Sequence, residues 1–236
     1  LLALQDILGS DAEAIELASR VLRVKGQVVP VTGDDTQLIA TYENGKTVLG
    51  EDEIDEPPKE HDLKMRITHL DSNPKAKINL KASKAIQSAD MIILGPGDLY
   101  TSLLANIVVD GVAEAIQQSK ARFIYISNLV TKMGQTYGFS AQDHVNEVTK
   151  YVGREPDVTL LNVGAIPKRL RDLYQDAEGA QIVKDDLPDD ESVVRANVVA
   201  MQKFVKPSGD ALVRSLLRHD ADRLAEVLIG IIEKEY

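Results

Sequence analysis

The residues of this chain whose types and spacing best suit chemistry lie between Leu94 and Ser102, in the order Leu-Gly-Pro-Gly-Asp-Leu-Tyr-Thr-Ser. The apolar run from Met91 to Leu94 predicts a buried strand, and the pattern that follows the turn is helical. Glycines let the backbone turn sharply and approach a ligand, and a helix start offers unpaired N–H groups and the positive end of its dipole. These features favour a phosphate or diphosphate site at the carboxyl end of a parallel strand.

An ordinary tight turn is the alternative for this segment, because it lacks the third glycine of the dinucleotide fingerprint and the Gly-Lys-Thr of a P-loop. In that alternative, Asp98 serves only as the N-cap of the following helix. The phosphate hypothesis instead assigns the ligand contacts to backbone N–H groups and to the hydroxyls beside them. Its candidate binding residues are Gly95, Pro96, Gly97, Asp98, Tyr100, Thr101 and Ser102.

Polar side chains also follow two further predicted strands. The segment from Ser127 to Thr136 comes after one of them, and Asn162 ends the other. Small hydroxyl and amide groups in such places suit a sugar or a base, and they suit an ordinary βα loop equally. Because the carboxyl ends of parallel strands meet at one sheet edge, three polar strand ends favour a shared ligand site. The candidates from these two strand ends are Asn128, Thr131 and Asn162.

Two candidates lie closer to the C-terminus. Arg218 is followed by His219 and Asp220 just before the last predicted helix, so Asp220 is a plausible N-cap. Arg218 in turn suits a phosphate or the face of a base. Tyr174, near the end of a predicted helix, suits either a half-buried packing position or a stacking contact.

The composition excludes several classes of partner and chemistry. The chain has 236 residues, with 27 Lys and Arg against 37 Asp and Glu, so its formal net charge is −10. That balance argues against nucleic acid and anionic membranes as partners. The absence of Cys excludes disulfides and thiolate chemistry, and the four His show no metal-ligand spacing, so we predict no metal site. No apolar run approaches the ~20 residues that a membrane span needs, and we expect a cytoplasmic protein.

The elements that must position these residues alternate between helical and strand patterns along the chain. This alternation predicts a Rossmann-like three-layer α/β/α domain over residues 1–236, with a mostly parallel sheet. Asn44-Gly45 between two β-like runs predicts a hairpin near residues 38–50. The acidic stretch from Glu51 to Asp62 predicts an exposed loop, and the stretch from Thr101 to Gln118 predicts one helix.

The segment from Leu94 to Ser102 resembles the Gly-Pro-Gly-Ser-Leu-Tyr-Thr-Ser signature of the CofD-like family, most closely its YvcK group, the gluconeogenesis factors. The chain departs from that pattern at Asp98, where Ser is frequent, and at Gln135, where Glu is common. Weaker matches follow in the expected order: Val29 to Thr32, Gly50-Glu51, Asn128 to Thr136, Ser140 to Val145, Asn162, Arg218 to Asp220 and Leu224-Ala225.

A larger departure concerns the start of the chain. Members of this family open with a Gly-Gly-Thr-Gly nucleotide loop and an Asp-Asp-Gly-Gly segment, and neither occurs in this sequence. The apolar start at Leu1 is similar to the continuation of a helix that follows those elements. We therefore expect that the chain lacks an N-terminal segment that carries half of the nucleotide site.

The resemblance implies two alternative functions. The gluconeogenesis-factor branch, linked to cell shape and carbon metabolism, implies a regulatory protein that binds a UDP-sugar and has no certain cofactor. Tyr174 and Arg218 are then candidates for the uridine end. The CofD branch implies a 2-phospho-L-lactate transferase that acts on the deazaflavin Fo in coenzyme F420 biosynthesis, with Mg²⁺. Catalytic residues are not assigned in either case, and a homo-oligomer is compatible with both.

Overall fold

Two β-sheets carry the fold of the protein, whose computed structural model describes residues 2–57, 60–200 and 217–233. The strands in these ranges are β1 (Gln37–Tyr42), β2 (Thr47–Leu49), β3 (Ile67–Asn73), β4 (Met91–Leu94), β5 (Arg122–Ile126), β6 (Val158–Asn162) and β7 (Val193–Ala196). The α-helices are α1 (Leu2–Leu8), α2 (Asp11–Val21), α3 (Glu51–Asp55), α4 (Leu80–Ser88), α5 (Ala105–Ile107), α6 (Val112–Gln118), α7 (Ala141–Val152), α8 (Lys168–Glu178) and α9 (Ala221–Glu233). None of these helices combines the length and the apolar character that crossing a bilayer requires.

The larger sheet has the strand order β4-β5-β6-β7, and every neighbouring pair is parallel. Its strands are continuous apolar runs because helices cover both faces of a parallel sheet. Since the strands are parallel, all four end at one edge, which we call the carboxyl edge. The prediction of a Rossmann-like α/β fold with a mostly parallel sheet is confirmed.

The alternation of side chains along β5 divides the core into two layers. Phe123 and Tyr125 point into a cluster that includes Val148 of α7, and all three are fully buried. Ile124 and Ile126 point to the opposite face, where their cluster includes residues of α9. The parallel sheet is therefore sandwiched between helices, as a three-layer domain requires.

The smaller sheet is antiparallel, with the order β2-β1-β3. Its hairpin turns at Asn44-Gly45, where Gly45 has φ 78° and the backbone N–H of Tyr42 donates to the carbonyl of Lys46 at 2.9 Å. The predicted hairpin is confirmed. The third strand, β3, pairs with β1 along its length and so extends the hairpin into a sheet.

The acidic stretch predicted as an exposed loop is partly helical, so that prediction is wrong over α3. Glu51, Asp52 and Glu53 occupy the first turn of α3, where carboxylates interact favourably with the helix dipole. Ile54 is completely buried in the main core cluster and anchors the helix. The helix consequently brings Asp55 toward the end of β4.

The single helix predicted from Thr101 to Gln118 is also wrong, because the chain breaks between α5 and α6. A π-helical turn, Leu99–Leu104, leads into α5, and Gly111 precedes α6 with φ 97°. At the break, the backbone of Asp110 exchanges hydrogen bonds of 2.9 Å with Ala76 and Ile78. Those bonds to the segment after β3 compete with continuation of the helix.

Candidate functional site

The glycine loop (Gly95–Ser102) connects β4 to the π-helical turn. Gly95 has φ 103°, and a Cβ atom there would lie 2.9 Å from the carbonyl oxygen of Ile126, so only glycine fits without displacement. Pro96 is exposed and follows a cis peptide bond. Gly97 and Asp98 are partly exposed, and among the described residues their backbone N–H groups meet no acceptor. Adjacent open N–H groups beside a helix start can receive an anion.

Asp98 occupies the N-cap position of the π-helical turn, but its side chain makes no capping hydrogen bond. One of its oxygens instead accepts a hydrogen bond from the ammonium group of Lys132 at 2.7 Å. Lys132 also donates to Oδ1 of Asp55, which further accepts from the Thr101 hydroxyl at 2.9 Å and from the Gln135 amide at 3.0 Å. We call these five residues the lysine cluster.

Burial and ion pairing act against each other on the charged groups of the lysine cluster. Burial lowers the pKa of Lys132, but the hydrogen bonds and charges of Asp55 and Asp98 outweigh it, so the pKa ends above its ordinary value. Burial likewise raises the pKa of Asp55, and Lys132, Thr101 and Gln135 together bring it below its ordinary value. Both groups are therefore charged at neutral pH.

The remaining side chains of the glycine loop divide between core and surface. Tyr100 is fully buried, and its hydroxyl lies 3.0 Å from Oε1 of Glu147 and 3.3 Å from the carbonyl of Ile67. Burial and the neighbouring carboxylate of Glu147 raise the pKa of Tyr100. Ser102, in contrast, is exposed. Tyr100 thus supports the loop from behind, whereas Ser102 faces solvent.

The two asparagines at the carboxyl edge hold neighbouring loops in place. The Asn128 amide donates to the carbonyl of Gly97 at 2.8 Å and accepts from the Tyr125 hydroxyl at 3.1 Å, so it joins the end of β5 to the glycine loop. The Asn162 side chain accepts from the backbone N–H groups of Gly164 at 3.1 Å and Val198 at 3.0 Å. Both residues stand at the predicted edge, with their amides already engaged by protein groups.

Thr131 connects the carboxyl edge to a cavity beside α8. Its buried hydroxyl accepts from the backbone N–H of Gln181 at 3.0 Å, and its own N–H donates to the Gln181 carbonyl at 2.7 Å. Gln181 lines a cavity of ≈ 350 Å³. Tyr174 forms part of the wall, and its hydroxyl accepts from the backbone N–H of Leu217 at 2.6 Å. The other lining residues are Lys168, Arg171, Asp172, Gln175, Ala180 and Ile182.

Arg218 is partly buried, and its carbonyl accepts from the backbone N–H of Ala200 at 2.8 Å, beside the carboxyl end of β7. Asp220 caps α9, as predicted, since its Oδ1 accepts from the N–H of Arg223 at 3.1 Å. The His219 ring contacts the carbonyl of Ser127 at the end of β5, and burial lowers the pKa of His219. The Arg218–Asp220 segment is thereby brought to the carboxyl edge.

The sequence reasoning did not select Asp55, Lys132 or Gln135 as site residues. Asp55 lies in an acidic stretch, where the one available signal is the apolar Ile54 among carboxylates. Lys132 is a single cation within the polar segment that follows β5. The described residues include no group of three or more His, Cys, Asp or Glu that could hold a metal ion.

Comparison with known proteins shows the family to which the chain belongs. The family described as "2-phospho-L-lactate transferase CofD" matches residues 1–204. The chain is 36% identical to the "Putative gluconeogenesis factor" of Thermotoga maritima, over 96% of this chain and 68% of that protein. It is 32% identical to the "Gluconeogenesis factor" of Listeria innocua, over 98% of this chain and 67% of that protein.

A solved structure extends the likeness to three dimensions. The crystal structure of a UPF0052-family protein from Bacillus halodurans matches with a TM-score of 0.81 at 30% sequence identity, over 96% of this chain and 69% of that one. The glycine loop, the parallel sheet and the sequence matches along the chain therefore lead to one assignment. The chain belongs to the CofD family, among the relatives that carry the name gluconeogenesis factor.

Proposed function

We propose that the protein is a cytoplasmic regulatory protein that binds a UDP-sugar along the carboxyl edge of its parallel sheet, and that it acts in carbon metabolism and cell shape. The observation that carries the proposal is that the backbone N–H groups of Gly97 and Asp98, two partly exposed residues, meet no acceptor among the described residues. Buried or half-buried N–H groups are normally satisfied, so an unmet pair at a glycine turn suits a diphosphate.

The cavity beside α8 supports the nucleoside end of the same ligand. Its ≈ 350 Å³ lies within the size range of small-molecule pockets. The ring of Tyr174 supplies a flat apolar wall, and the amides of Gln175 and Gln181 match the alternating donors and acceptors of a uracil edge. Lys168 and Arg171 add positive charge at the start of α8 for phosphate oxygens.

Calorimetric titration of the protein with UDP-N-acetylglucosamine tests the proposal. We expect saturable binding, weakened at least about tenfold by Gly97→Val, because the new side chain would meet Ser102 and Leu103 at 3.1 Å and block the loop. Arg218→Ala should also weaken binding by removing a cation from the edge. Gly26→Val is the matched control, since a side chain there meets nothing within 4 Å. Absence of binding to the wild-type protein would refute the proposal.

The alternative is a 2-phospho-L-lactate transferase, which the match to the CofD family over residues 1–204 favours. In that case the edge would orient a nucleotide-diphosphate donor, and its N–H groups would stabilise the diphosphate as it leaves. Mg²⁺ would then accompany the donor phosphates. Incubating the protein with Fo, a phospholactyl donor and Mg²⁺ distinguishes the two functions: formation of the phospholactylated product supports the transferase, and its absence beside intact UDP-sugar binding rejects it.

A further inference from the structure

We infer that Lys132 is a diphosphate-binding side chain and that Asp98 competes with the ligand for it, so that Asp98 sets the affinity of the site. The inference rests on the proposed function and adds a specificity-determining pair to it. It starts from the lysine cluster, in which the ammonium group of Lys132 lies between the carboxylates of Asp55 and Asp98 beside the glycine loop.

The two carboxylates hold Lys132 in unequal ways. The carboxylate of Asp55 is held by three donors, because Thr101 and Gln135 donate hydrogen bonds to the same oxygen that accepts from Lys132. Asp98 has no such support: within the described ranges, Lys132 is the one donor to its side chain, and 44% of that side chain is exposed. Asp55 is therefore the permanent partner of Lys132, and Asp98 is the exchangeable one.

A phosphate bound at the glycine loop would lie where it can replace the carboxylate of Asp98 as the acceptor of the Lys132 ammonium group. The carboxylate of Asp98 projects from the same residue whose backbone N–H is open, so an anion bound to the N–H groups of Gly97 and Asp98 comes close to Lys132. A lysine ammonium has three hydrogens, and two of them are donated to Asp55 and Asp98 in the part of the chain that the structure describes. Phosphate oxygens can take the third hydrogen and displace Asp98 from the second.

The charges explain why this exchange limits affinity. The formal charges of Asp55, Asp98 and Lys132 sum to −1, which repels a diphosphate at short range. Replacing Asp98 by a neutral residue removes that repulsion and weakens the hold on one hydrogen of Lys132, because a neutral oxygen is a poorer acceptor than a carboxylate.

Titration of the full chain with UDP is the test, and Asp98→Asn is its central variant because it keeps the shape and removes the charge. We expect Asp98→Asn to bind UDP about tenfold more tightly than wild type, which corresponds to ~1.4 kcal/mol. Lys132→Met should weaken binding about tenfold. In the Lys132→Met background, the gain from Asp98→Asn should shrink to about threefold or less, since the two residues act together.

Asp185→Asn is the matched control, because Asp185 is also ion-paired, to Arg195 at 2.7 Å, and the substitution changes the net charge equally. Asp185→Asn should leave UDP binding unchanged. If it tightened UDP binding as much as Asp98→Asn does, the change in net charge would explain both results, and the inference would be overturned. Equal or weaker binding by Asp98→Asn, with wild-type binding intact, would also overturn it while the proposed function stands. If neither wild type nor Asp98→Asn binds UDP or UDP-N-acetylglucosamine, both the inference and the proposed function are refuted. Thermal unfolding of each variant confirms that the proteins compared are folded.

Discussion

At the scale of single residues, the glycine loop contains side chains of opposite kinds within a few positions. Thr101 and Asp98 take part in the lysine cluster, whereas Tyr100 lies wholly in the core with its hydroxyl on Glu147 and Ile67. Successive side chains of a helical turn point in different directions around its axis, so neighbours in sequence face different surroundings. A signature motif therefore mixes residues that touch a ligand with residues that hold the loop.

The role of Tyr100 leads to a prediction about stability. Tyr100→Phe removes a buried hydroxyl and leaves Oε1 of Glu147 short of one donor. We expect the free energy of unfolding to fall by about 1–2 kcal/mol, with UDP-sugar binding by the folded protein unchanged. Urea denaturation followed by circular dichroism measures the first effect, and calorimetry measures the second.

Tyr137→Phe is the control for Tyr100→Phe, because Tyr137 is only partly buried and its hydroxyl meets no partner among the described residues. Its unfolding free energy should change by less than about 0.5 kcal/mol. Weakened ligand binding by Tyr100→Phe at unchanged stability would contradict the supporting role. It would indicate that the Tyr100 hydroxyl contacts the ligand.

At the scale of elements, the glycine loop, which connects β4 to the π-helical turn, packs closely against the end of β5. The backbone of Gly95 runs so close to Ile126 that a side chain would meet its carbonyl oxygen at 2.9 Å. Asn128 then fastens the loop from the other side through the carbonyl of Gly97. The strand ends of β4 and β5 consequently form one unit at the carboxyl edge.

Comparison of two glycines isolates the effect of that close approach. Gly45 and Gly95 both have positive φ, of 78° and 103°, but a Cβ atom at Gly45 meets nothing within 4 Å. We expect Gly45→Ala to lower the free energy of unfolding by about 1–2 kcal/mol through backbone strain alone. Gly95→Ala should cost about 1–3 kcal/mol more, because the new methyl group overpacks against the backbone of β5. Equal losses in urea denaturation would contradict the close fit.

At the scale of the whole molecule, charge and burial set how stability depends on pH. His144 is completely buried at the start of α7, and burial lowers its pKa. The unfolded chain binds a proton at His144 near pH 6.5, whereas the folded protein resists it until a lower pH. Stability is therefore lost as the pH falls below about 6.5, and His219 contributes in the same direction.

Substitution of His144 tests this linkage. Between pH 7 and 5, the unfolding free energy of His144→Gln should fall less than that of wild type, because one of the titrating groups is gone. His69→Gln, at a side chain that is 63% exposed, is the matched control for the loss of one histidine from the same fold. The ion-paired carboxylates of Asp55 and Asp185 have lowered pKa values, so their contribution disappears only below about pH 4. Parallel slopes for wild type and His144→Gln would contradict the assignment.

The amino-acid sequence by itself determined the features that depend on neighbouring residues. Apolar runs such as Met91–Leu94 predicted β4, β5 and β6 of the parallel sheet but not β7, and Asn44-Gly45 predicted the hairpin. The glycine loop and its place after a buried strand were also predictable, because glycine spacing is a local property of the chain. The local pattern gave a wrong prediction at α3, because a run of carboxylates is typical of an exposed loop. The single buried residue Ile54 anchors the helix that forms there.

Only the tertiary structure decided what surrounds the glycine loop. Lys132 meets Asp98 across 34 positions of the chain and Asp55 across 77, and no spacing rule connects such distant residues. Their contact requires the parallel order of β4 and β5 and the packing of α3 against the core at the same time. Long-range packing, rather than local propensity, thus made the Asp98 side chain the partner of a lysine, whereas the sequence had offered a helix cap as one of two alternatives.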